Sequence, residues 1–326
     1  MKRLFLNSTV LIMAFLLGGC AWIFFRISNH SHPPVEKIYT GTSVKQRNPI
    51  LLVHGLYRTG KIWMASGGRR GRVIPGARSM VEALQVSGYP NIYVNTFSDT
   101  RKTRFLDNAN ELKGWIDKAK KIFKARAVDI IAHSLGGLIS RAYLQEIDFI
   151  DGSPARSVSY GNDVGKLIMI ATPHLGSPLA DSFENIFDWY SVRTLKEGGG
   201  PDLRLLNKRT IPCMVAYYSI VVSTDKSPRP ARWSFWRFMR FLLSYSAPGD
   251  GDGVVGLKSQ NFKSVGPSQK CFHDPYELFL VSTRKGFSHR SAVMSPSVQE
   301  VVLKILDQKK SRVLATVSEI SINPKS

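Results

Sequence analysis

The chain has 326 residues, and its 45 Lys and Arg against 24 Asp and Glu give a formal net charge of +21 at pH 7. This length fits one domain with insertions and excludes two separate large cores. The charge favours polyanionic partners. Because no nucleic-acid recognition motif accompanies the short cation runs, anionic lipid headgroups are favoured over nucleic acid. Charge that only keeps a basic protein soluble is the alternative.

Residues 1–25 predict export. A basic start, MKR, leads into a mostly apolar stretch, which is the pattern of an export signal. Residues 17–20, with the sequence LGGC, also resemble a lipobox, whose cysteine is lipidated. Because the apolar run continues past Cys20, an uncleaved transmembrane anchor and a simple cleaved signal stay open as alternatives to the favoured lipoprotein. The lipoprotein and the anchor would both hold the chain at a membrane of a bacterial cell envelope, through a predicted tether at 26–47.

Short β-branched apolar runs alternate with helical patterns in the centre of the chain. The predicted strands are 50–53, 92–96, 128–132, 167–171 and 214–220. A helix is predicted over 112–124, between the second and third strands. Alternation of this kind is typical of an α/β fold with a mostly parallel sheet and helices on both faces. Functional sites in such sheets lie at the carboxyl ends of the strands.

Residues 132–137, with the sequence AHSLGG, lie between a predicted strand and a helical pattern at 138–144. Strand, sharp turn, serine and helix form a nucleophile elbow, in which the turn exposes the serine hydroxyl and small residues let strand and helix approach. The motif normally begins with Gly, and Ala132 is the smallest departure from it. Ser134 is therefore the predicted nucleophile, against the alternative of a serine in an ordinary tight turn.

A serine nucleophile needs a base to take its proton and an acid to orient that base, in the chain order Ser, acid, His. Two carboxylates, Asp250 and Asp252, lie in a Gly-rich loop after the strand at 214–220. A solvated turn or a calcium loop is the alternative interpretation of this pair. His289 is the predicted base because it lies just before the last helical pattern, and His273 is its competitor.

The oxyanion that forms during acyl transfer needs two backbone N–H donors. One is predicted from Leu135, the residue after the nucleophile. The other is predicted from Leu56, in the loop that opens with His54 and Gly55 after the first buried strand. Gly55 supplies the conformational freedom of the turn, and His54 is interpreted as a structural histidine that bonds the loop backbone.

Four blocks of the sequence resemble the bacterial lipase and esterase branch of the α/β-hydrolase superfamily. They are VHGL at 53–56, AHSLGG at 132–137, ATPHLGSPLAD at 171–181 and DGVV at 252–255. The resemblance covers residues 48–307 and implies an α/β-hydrolase domain at 48–310, followed by a C-terminal tail at 311–326. It also implies that the Asp directly before Gly-Val, which is Asp252, is the acid of the triad.

The resemblance further implies acyl-ester chemistry, while the N-terminal segment predicts membrane attachment and the apolar insertions favour a lipid-like acyl chain. Together they predict a membrane-attached serine hydrolase that cleaves carboxylic esters of lipid or acylglycerol type through an acyl-enzyme. Thioester cleavage and acyl transfer would use the same residues, and a catalytically silent lipid-binding envelope protein is a third possibility. Neither a cofactor nor a metal is predicted. Some related lipases bind structural calcium through an Asp just after the catalytic His, whereas Arg290 and Ser291 follow His289 here. The oligomeric state stays open.

Two insertions are rich in aromatic residues. The insertion at 224–247 contains Trp233, Trp236 and Phe238 among arginines, which predicts a lid over an apolar cleft or a membrane-surface helix. A helix packed on its own core is the alternative. The insertion at 182–209 is a candidate for the other wall of the substrate pocket.

Cysteine usage agrees with export. Once Cys20 is set aside, Cys213 and Cys271 remain as an even pair. A disulfide between them and two unrelated buried thiols are equally compatible with the sequence.

Overall fold

The computed structural model describes residues 34–42, 47–56, 58–66, 77–146, 159–178, 180–181, 190–224, 251–265, 276–283 and 289–308. All of them belong to a compact unit that begins at Pro34, the second of two units into which the chain divides. No helix within these ranges is both long enough and apolar enough to cross a membrane.

The described residues form one seven-stranded sheet. Its strands are β1 (Lys37–Tyr39), β2 (Ile50–Val53), β3 (Ile92–Val94), β4 (Val128–His133), β5 (Val164–Ile170), β6 (Ala216–Thr224) and β7 (Tyr276–Thr283). Their order is β1-β3-β2-β4-β5-β6-β7; β1 is antiparallel to β3, and the other neighbouring pairs are parallel. The strands from β2 to β5 are buried along their whole length, as expected for a parallel sheet that is covered on both faces.

Helices connect the strands and cover the sheet. The α-helices of the described residues are α1 (Met80–Val86), α2 (Phe105–Phe123), α3 (Leu135–Leu144), α4 (Tyr190–Thr194), α5 (Pro201–Lys208), α6 (Leu257–Gln260) and α7 (Pro296–Asp307). Short 3-10 helices are η1 (Gly60–Trp63), η2 (Phe262–Val265) and η3 (His289–Met294). The carboxyl ends of the parallel strands therefore lie together at one end of the sheet.

Two hydrophobic cores lie on the two faces of the sheet. One core joins side chains of α2 and α3, such as Ile116 and Leu138, to the strands. The other core joins side chains of α1 and α7, such as Leu84 and Val302, to the strands. A sheet that is covered on both faces in this way is the layered α/β architecture.

The α/β fold with a mostly parallel sheet that the sequence predicts is confirmed. Helix α2 begins already at Phe105 rather than at 112, and β7 corresponds to no predicted strand. The prediction of a tether through residue 47 is wrong over Lys37–Tyr39, because the backbone of these three residues pairs with β3 as the edge strand β1.

Candidate active site

The turn between β4 and α3 holds Ser134 in a strained conformation. Its φ of 56° and ψ of −128° are rare for a residue with a Cβ and are the mark of a nucleophile elbow. The next two glycines make the turn possible. A Cβ on Gly136 would lie 2.6 Å from the carbonyl oxygen of His54, and a Cβ on Gly137 would lie 2.1 Å from Oγ1 of Thr172. Ala132, which replaces the usual Gly of the motif, is fully buried in β4.

The structure brings Ser134, His289 and Asp252 into one hydrogen-bonded chain. Oγ of Ser134 lies 2.8 Å from Nε2 of His289. On the other side of the ring, Nδ1 of His289 lies 2.5 Å from Oδ2 of Asp252. An Nδ1 proton donated to the carboxylate leaves Nε2 free to accept the serine proton, which is the arrangement that a serine nucleophile needs. Ser134 and His289 are buried, and the side chain of Asp252 has no exposed surface.

The turn that carries Asp252 is held by its own carboxylate. Oδ1 accepts hydrogen bonds from the backbone N–H groups of Val254 and Val255, at 3.0 and 2.9 Å. Gly251 and Gly253 have φ values of 124° and 85°, so the turn depends on backbone conformations that favour glycine. The two carboxylate oxygens therefore have separate tasks: Oδ1 fixes the turn and Oδ2 contacts His289.

The carbonyl groups of the same turn are bound from outside it. The hydroxyl of Ser177 donates to the carbonyl of Val254, and Nε2 of Gln260 donates to the carbonyl of Val255 at 2.8 Å. The amide of Gln260 also pairs with both backbone groups of Val222 in β6, at 2.6 and 3.0 Å. Gln260 thus ties the acid turn to the sheet in the way that an additional strand residue would.

The loop after β2 packs directly on the elbow. A Cβ on Gly55 would lie 2.8 Å from Cβ of Ser134 and 3.2 Å from the backbone nitrogen of Leu135. Leu56 follows in this loop and packs against the core, and the N–H of Leu135 belongs to the first turn of α3, where a helix provides no acceptor. The two predicted oxyanion donors therefore belong to backbone segments in close contact beside the serine.

His54 fixes this loop as a neutral imidazole. Its Nε2 accepts a hydrogen bond from the backbone N–H of Phe97 at 3.0 Å, so the ring proton is on Nδ1, which donates to the carbonyl of Gly55 at 2.9 Å. Complete burial lowers the pKa of His54 to about 4. The contacts are those of the structural histidine that the sequence analysis describes.

His133, the residue before Ser134, contacts the backbone of His289. Nε2 of His133 donates to the carbonyl oxygen of His289 at 2.8 Å, and the two rings lie 4.8 Å apart. Burial, followed by the nearby His289, lowers the pKa of His133 well below its ordinary value. The ring is therefore a neutral donor beside the candidate base. Sequence reasoning assigned His133 no role, and its place in the AHS block was the one signal available.

Arg141 of α3 is the centre of a second group of buried polar side chains. The guanidinium of Arg141 donates to Nδ1 of His174 at 3.0 Å, to Oδ1 of Asn207 at 2.9 Å and to Oε1 of Gln145 at 3.1 Å. Burial lowers the pKa of Arg141 to about 9. Because His174 belongs to the 171–181 block, whose Ser177 binds the acid turn, this block connects the helix after the nucleophile to the loop of the acid.

Several predicted residues lie outside the described part of the chain. These are the competitors Asp250 and His273, the aromatic residues Trp233, Trp236 and Phe238, and the cysteines Cys20 and Cys271. Cys213 is described and is disulfide-bonded. The insertion at 182–209 is described from 190, where Ser191 of α4 donates to the carbonyl of Arg101 in the loop after β3. Across the described ranges, no group of three or more His, Cys, Asp and Glu is placed to hold a metal ion.

The sheet and the serine elbow after its fourth strand define the α/β-hydrolase fold. Residues 47–194 match the family described as Lipase (class 2). This match agrees with the resemblance to bacterial lipases and esterases seen in the sequence, over the part of the chain that it covers.

Solved structures with the same fold are distant in sequence. Lipase BlEst2 of Bacillus licheniformis in its mature form is 18% identical, with a TM-score of 0.55 over 85% of this chain and 99% of that one. Lipase 1 of Pelosinus fermentans is 15% identical, with a TM-score of 0.52 over 81% and 100%. Phospholipase PlaB of Legionella pneumophila, in complex with thio-NAD, is 18% identical, with a TM-score of 0.55 over 81% and 59%. A search of functionally curated proteins finds no match.

Proposed function

We propose that the protein is a serine hydrolase that cleaves carboxylic esters of lipid or acylglycerol type. The observation that carries this proposal is the continuous contact from Oγ of Ser134 through the ring of His289 to the carboxylate of Asp252. The match to the lipase family supports the same chemistry.

The proposed reaction has two steps. Nε2 of His289 takes the hydroxyl proton of Ser134 while Oγ attacks the ester carbonyl, and the N–H groups of Leu56 and Leu135 stabilise the oxyanion. The protonated His289 then gives its proton to the leaving alcohol, which leaves an acyl group on Ser134. Water, deprotonated by His289, attacks this acyl-enzyme and releases the carboxylic acid and the free serine. The carboxylate of Asp252 stabilises the imidazolium in both steps.

We also propose that the enzyme works at a membrane outside the cytoplasm, as a lipoprotein attached through Cys20. The apolar N-terminal segment and the LGGC sequence support this location. The disulfide at Cys213 supports it as well, because disulfides persist in oxidising compartments. The excess of cations favours a surface that contains anionic lipid.

Hydrolysis of p-nitrophenyl esters of increasing acyl length tests the proposed chemistry, with Ser134→Ala as the variant. We expect the unchanged chain to hydrolyse these esters and Ser134→Ala to lose at least about 1,000-fold of kcat, as triads do when the nucleophile is removed. A preference for long acyl chains indicates a lipase, and a preference for short chains indicates an esterase.

A serine-directed fluorophosphonate probe provides a second readout that does not depend on the choice of ester. The unchanged chain should be labelled at Ser134, and Ser134→Ala should not. Labelling without ester hydrolysis would indicate that the natural substrate is a thioester, or that the acyl group is transferred to an acceptor other than water. Absence of both labelling and hydrolysis would contradict the proposal and favour a lipid-binding protein.

A further inference from the structure

Asn108 carries a buried amide without a hydrogen-bond partner. The residue lies in the first turns of α2 and is 1% exposed. Neither Oδ1 nor Nδ2 has a partner among the residues that the structure describes, and no other side chain in those ranges has two unpaired buried atoms. A buried amide normally pairs both its donor and its acceptor, because burial takes away the hydrogen bonds that water provides. Asn108 therefore destabilises the core in which it lies.

The neighbours of Asn108 on α2 are apolar. Phe105, three positions before it, and Leu112, four positions after it, are buried in the core that joins α2 and α3 to the sheet. The same core contains Leu135, and Leu56 packs against it. Since side chains three and four positions apart lie on one face of a helix, the amide of Asn108 lies in the core that both candidate oxyanion segments share.

Helix α2 places this amide at the end of the sheet that holds Ser134. The helix begins after the carboxyl end of β3 and ends before the amino end of β4. Trp115, on the same side of the helix as Asn108, stacks on Phe97 at 4.1 Å, and Phe97 contacts His54. Asn108 lies about 10 Å nearer the carboxyl ends of the strands than Trp115, because an α-helix rises about 1.5 Å per residue. It is therefore on the side of the loop that His54 fixes.

This loop borders the place where an ester must bind. A Cβ on Gly55 would lie 2.8 Å from Cβ of Ser134, and the candidate oxyanion donor Leu56 follows it. An ester whose carbonyl oxygen is bound by the N–H groups of Leu56 and Leu135 therefore has atoms close to the core that contains Asn108. The side chain of Leu56 is only partly buried, so a substrate that displaces it reaches the amide.

We propose that Asn108 is a substrate-binding residue, and that the substrate is an acyl ester of a polyol that keeps two neighbouring free hydroxyls, such as a monoacylglycerol. This inference rests on the proposed function. One hydroxyl donates to Oδ1 while its neighbour accepts from Nδ2, so the pair satisfies both atoms of the amide. A triacylglycerol has no free hydroxyl and leaves the amide without a donor for Oδ1.

The test compares two soluble esters with the same acyl group and the same three-carbon alcohol skeleton. Glycerol 1-monobutyrate has two free hydroxyls, and propyl butyrate has none. The measured quantity is kcat/KM for glycerol 1-monobutyrate divided by kcat/KM for propyl butyrate, with the full chain. Asn108→Leu and Asn108→Ala both remove the amide, and the alanine cannot overfill the core. Asn110→Leu, on the same helix but partly exposed, is the matched control.

We expect the unchanged chain to give a ratio of at least about 10, because a site that binds a hydroxyl discriminates against the analogue that lacks it. Both Asn108 variants should lower the ratio about 10-fold, and Asn110→Leu should leave it within about twofold. An unchanged ratio in the Asn108 variants, or an equal fall in Asn110→Leu, would overturn the proposal.

Thermal melting shows whether the amide already has a partner in the free protein. The more stable of the two Asn108 variants should melt no lower than the unchanged chain, because it loses two unpaired polar atoms. If both variants melt clearly lower, the amide is satisfied inside the protein and the proposal fails. Absence of hydrolysis of both esters by the unchanged chain contradicts the proposed function, and this inference with it. Hydrolysis of both esters with a ratio near 1 contradicts this inference alone.

Discussion

The backbone carbonyl oxygen of His289 accepts a hydrogen bond from Nε2 of His133, and the backbone N–H of His289 donates to the carbonyl of Asp252 at 3.1 Å. The backbone of the candidate base is thus held on one side by the residue before the nucleophile and on the other by the candidate acid. The imidazole of His289 can bridge Ser134 and Asp252 because both backbone contacts fix the point from which its side chain extends.

Replacement of His133 should therefore impair the chemical step more than substrate binding. Without the Nε2 donor, His133→Leu should lower kcat about 10- to 100-fold and leave KM within about twofold, because small misplacement of a catalytic group has this effect. His133→Gln keeps an N–H donor and should recover most of kcat. Steady-state kinetics on p-nitrophenyl esters measure all three proteins.

Thermal melting of the three proteins separates positioning from loss of folded protein. Equal losses of kcat in the Leu and Gln variants, at equal amounts of folded protein, would show that His133 only fills space.

Replacement of Gln260 should impair the position of the candidate acid Asp252. Gln260→Glu replaces the donor that binds the carbonyls of Val222 and Val255 by a group that only accepts when it is ionised. We expect the free energy of unfolding to fall by about 2–4 kcal/mol and kcat of the remaining folded protein to fall about 10-fold, because the turn of Asp252 loses its tie to β6. Guanidinium unfolding and kinetics on the same sample measure both effects.

Ser259→Ala is the matched control for this variant. Ser259 lies on the same short helix α6, but its hydroxyl contacts Gly176 and Leu175 rather than the acid turn. It should lower stability and leave kcat within about twofold. Equal losses of kcat in both variants would mean that the acid turn does not depend on Gln260.

Local sequence patterns predicted the fold better than its edges. The central strands, such as β2 and β4, are continuous apolar runs because both of their faces are buried, and this pattern is visible without a structure. Strand β1 has only three residues, partly exposed, so no periodicity marks it. The order of the strands depends on pairing between segments far apart in the chain, which no local pattern encodes.

For the candidate site, the sequence predicted the residues that the structure brings into contact, but not those that hold them. Ser134 was assigned from the elbow, and His289 and Asp252 from chain order and a family resemblance. The contact of His133 with His289 spans 156 positions, and that of Ser177 with Val254 spans 77. Partners so distant in sequence are set by tertiary packing, so no spacing rule could have paired them.

Acid should destabilise the protein through its buried histidines. His54 has a folded-state pKa of about 4, below its ordinary 6.5, so the unfolded chain binds more protons between these values. This contribution to stability is complete above pH 6.5 and is lost as the pH falls towards 4. Between pH 7 and pH 5, His54 should lower the free energy of unfolding by about 2 kcal/mol.

His54→Gln removes this titration and provides the comparison. The variant should be less stable at pH 7, because the bonds to Gly55 and Phe97 are disturbed, but its stability should fall less steeply with acid. Guanidinium unfolding at pH 7, 6 and 5 gives the two slopes. Parallel slopes would contradict a neutral, buried His54 in the native state. His133 and His174, whose pKa values are also lowered by burial, should keep part of the slope in the variant.

Removal of the Lys166 ammonium should lower the free energy of unfolding. It lies in the buried strand β5, and its Nζ donates to the carbonyls of Ile305, Leu306 and Gln308 at 2.7, 3.0 and 2.8 Å. The ammonium therefore caps the end of α7, where unpaired carbonyls and the helix dipole favour a cation.

Lys166→Met keeps the length of the side chain and removes all three bonds. Its free energy of unfolding should fall by about 3 kcal/mol or more, because the three carbonyls lose a charged donor. Lys304→Met, on the exposed face of the same helix, should cost less than about 0.5 kcal/mol. The lost contacts lie at the amino ends of the strands, opposite to Ser134. The kcat of the folded Lys166→Met protein should therefore stay within about twofold of that of the unchanged chain. A stability loss no larger than that of Lys304→Met would show that water replaces the lysine at these carbonyls without cost.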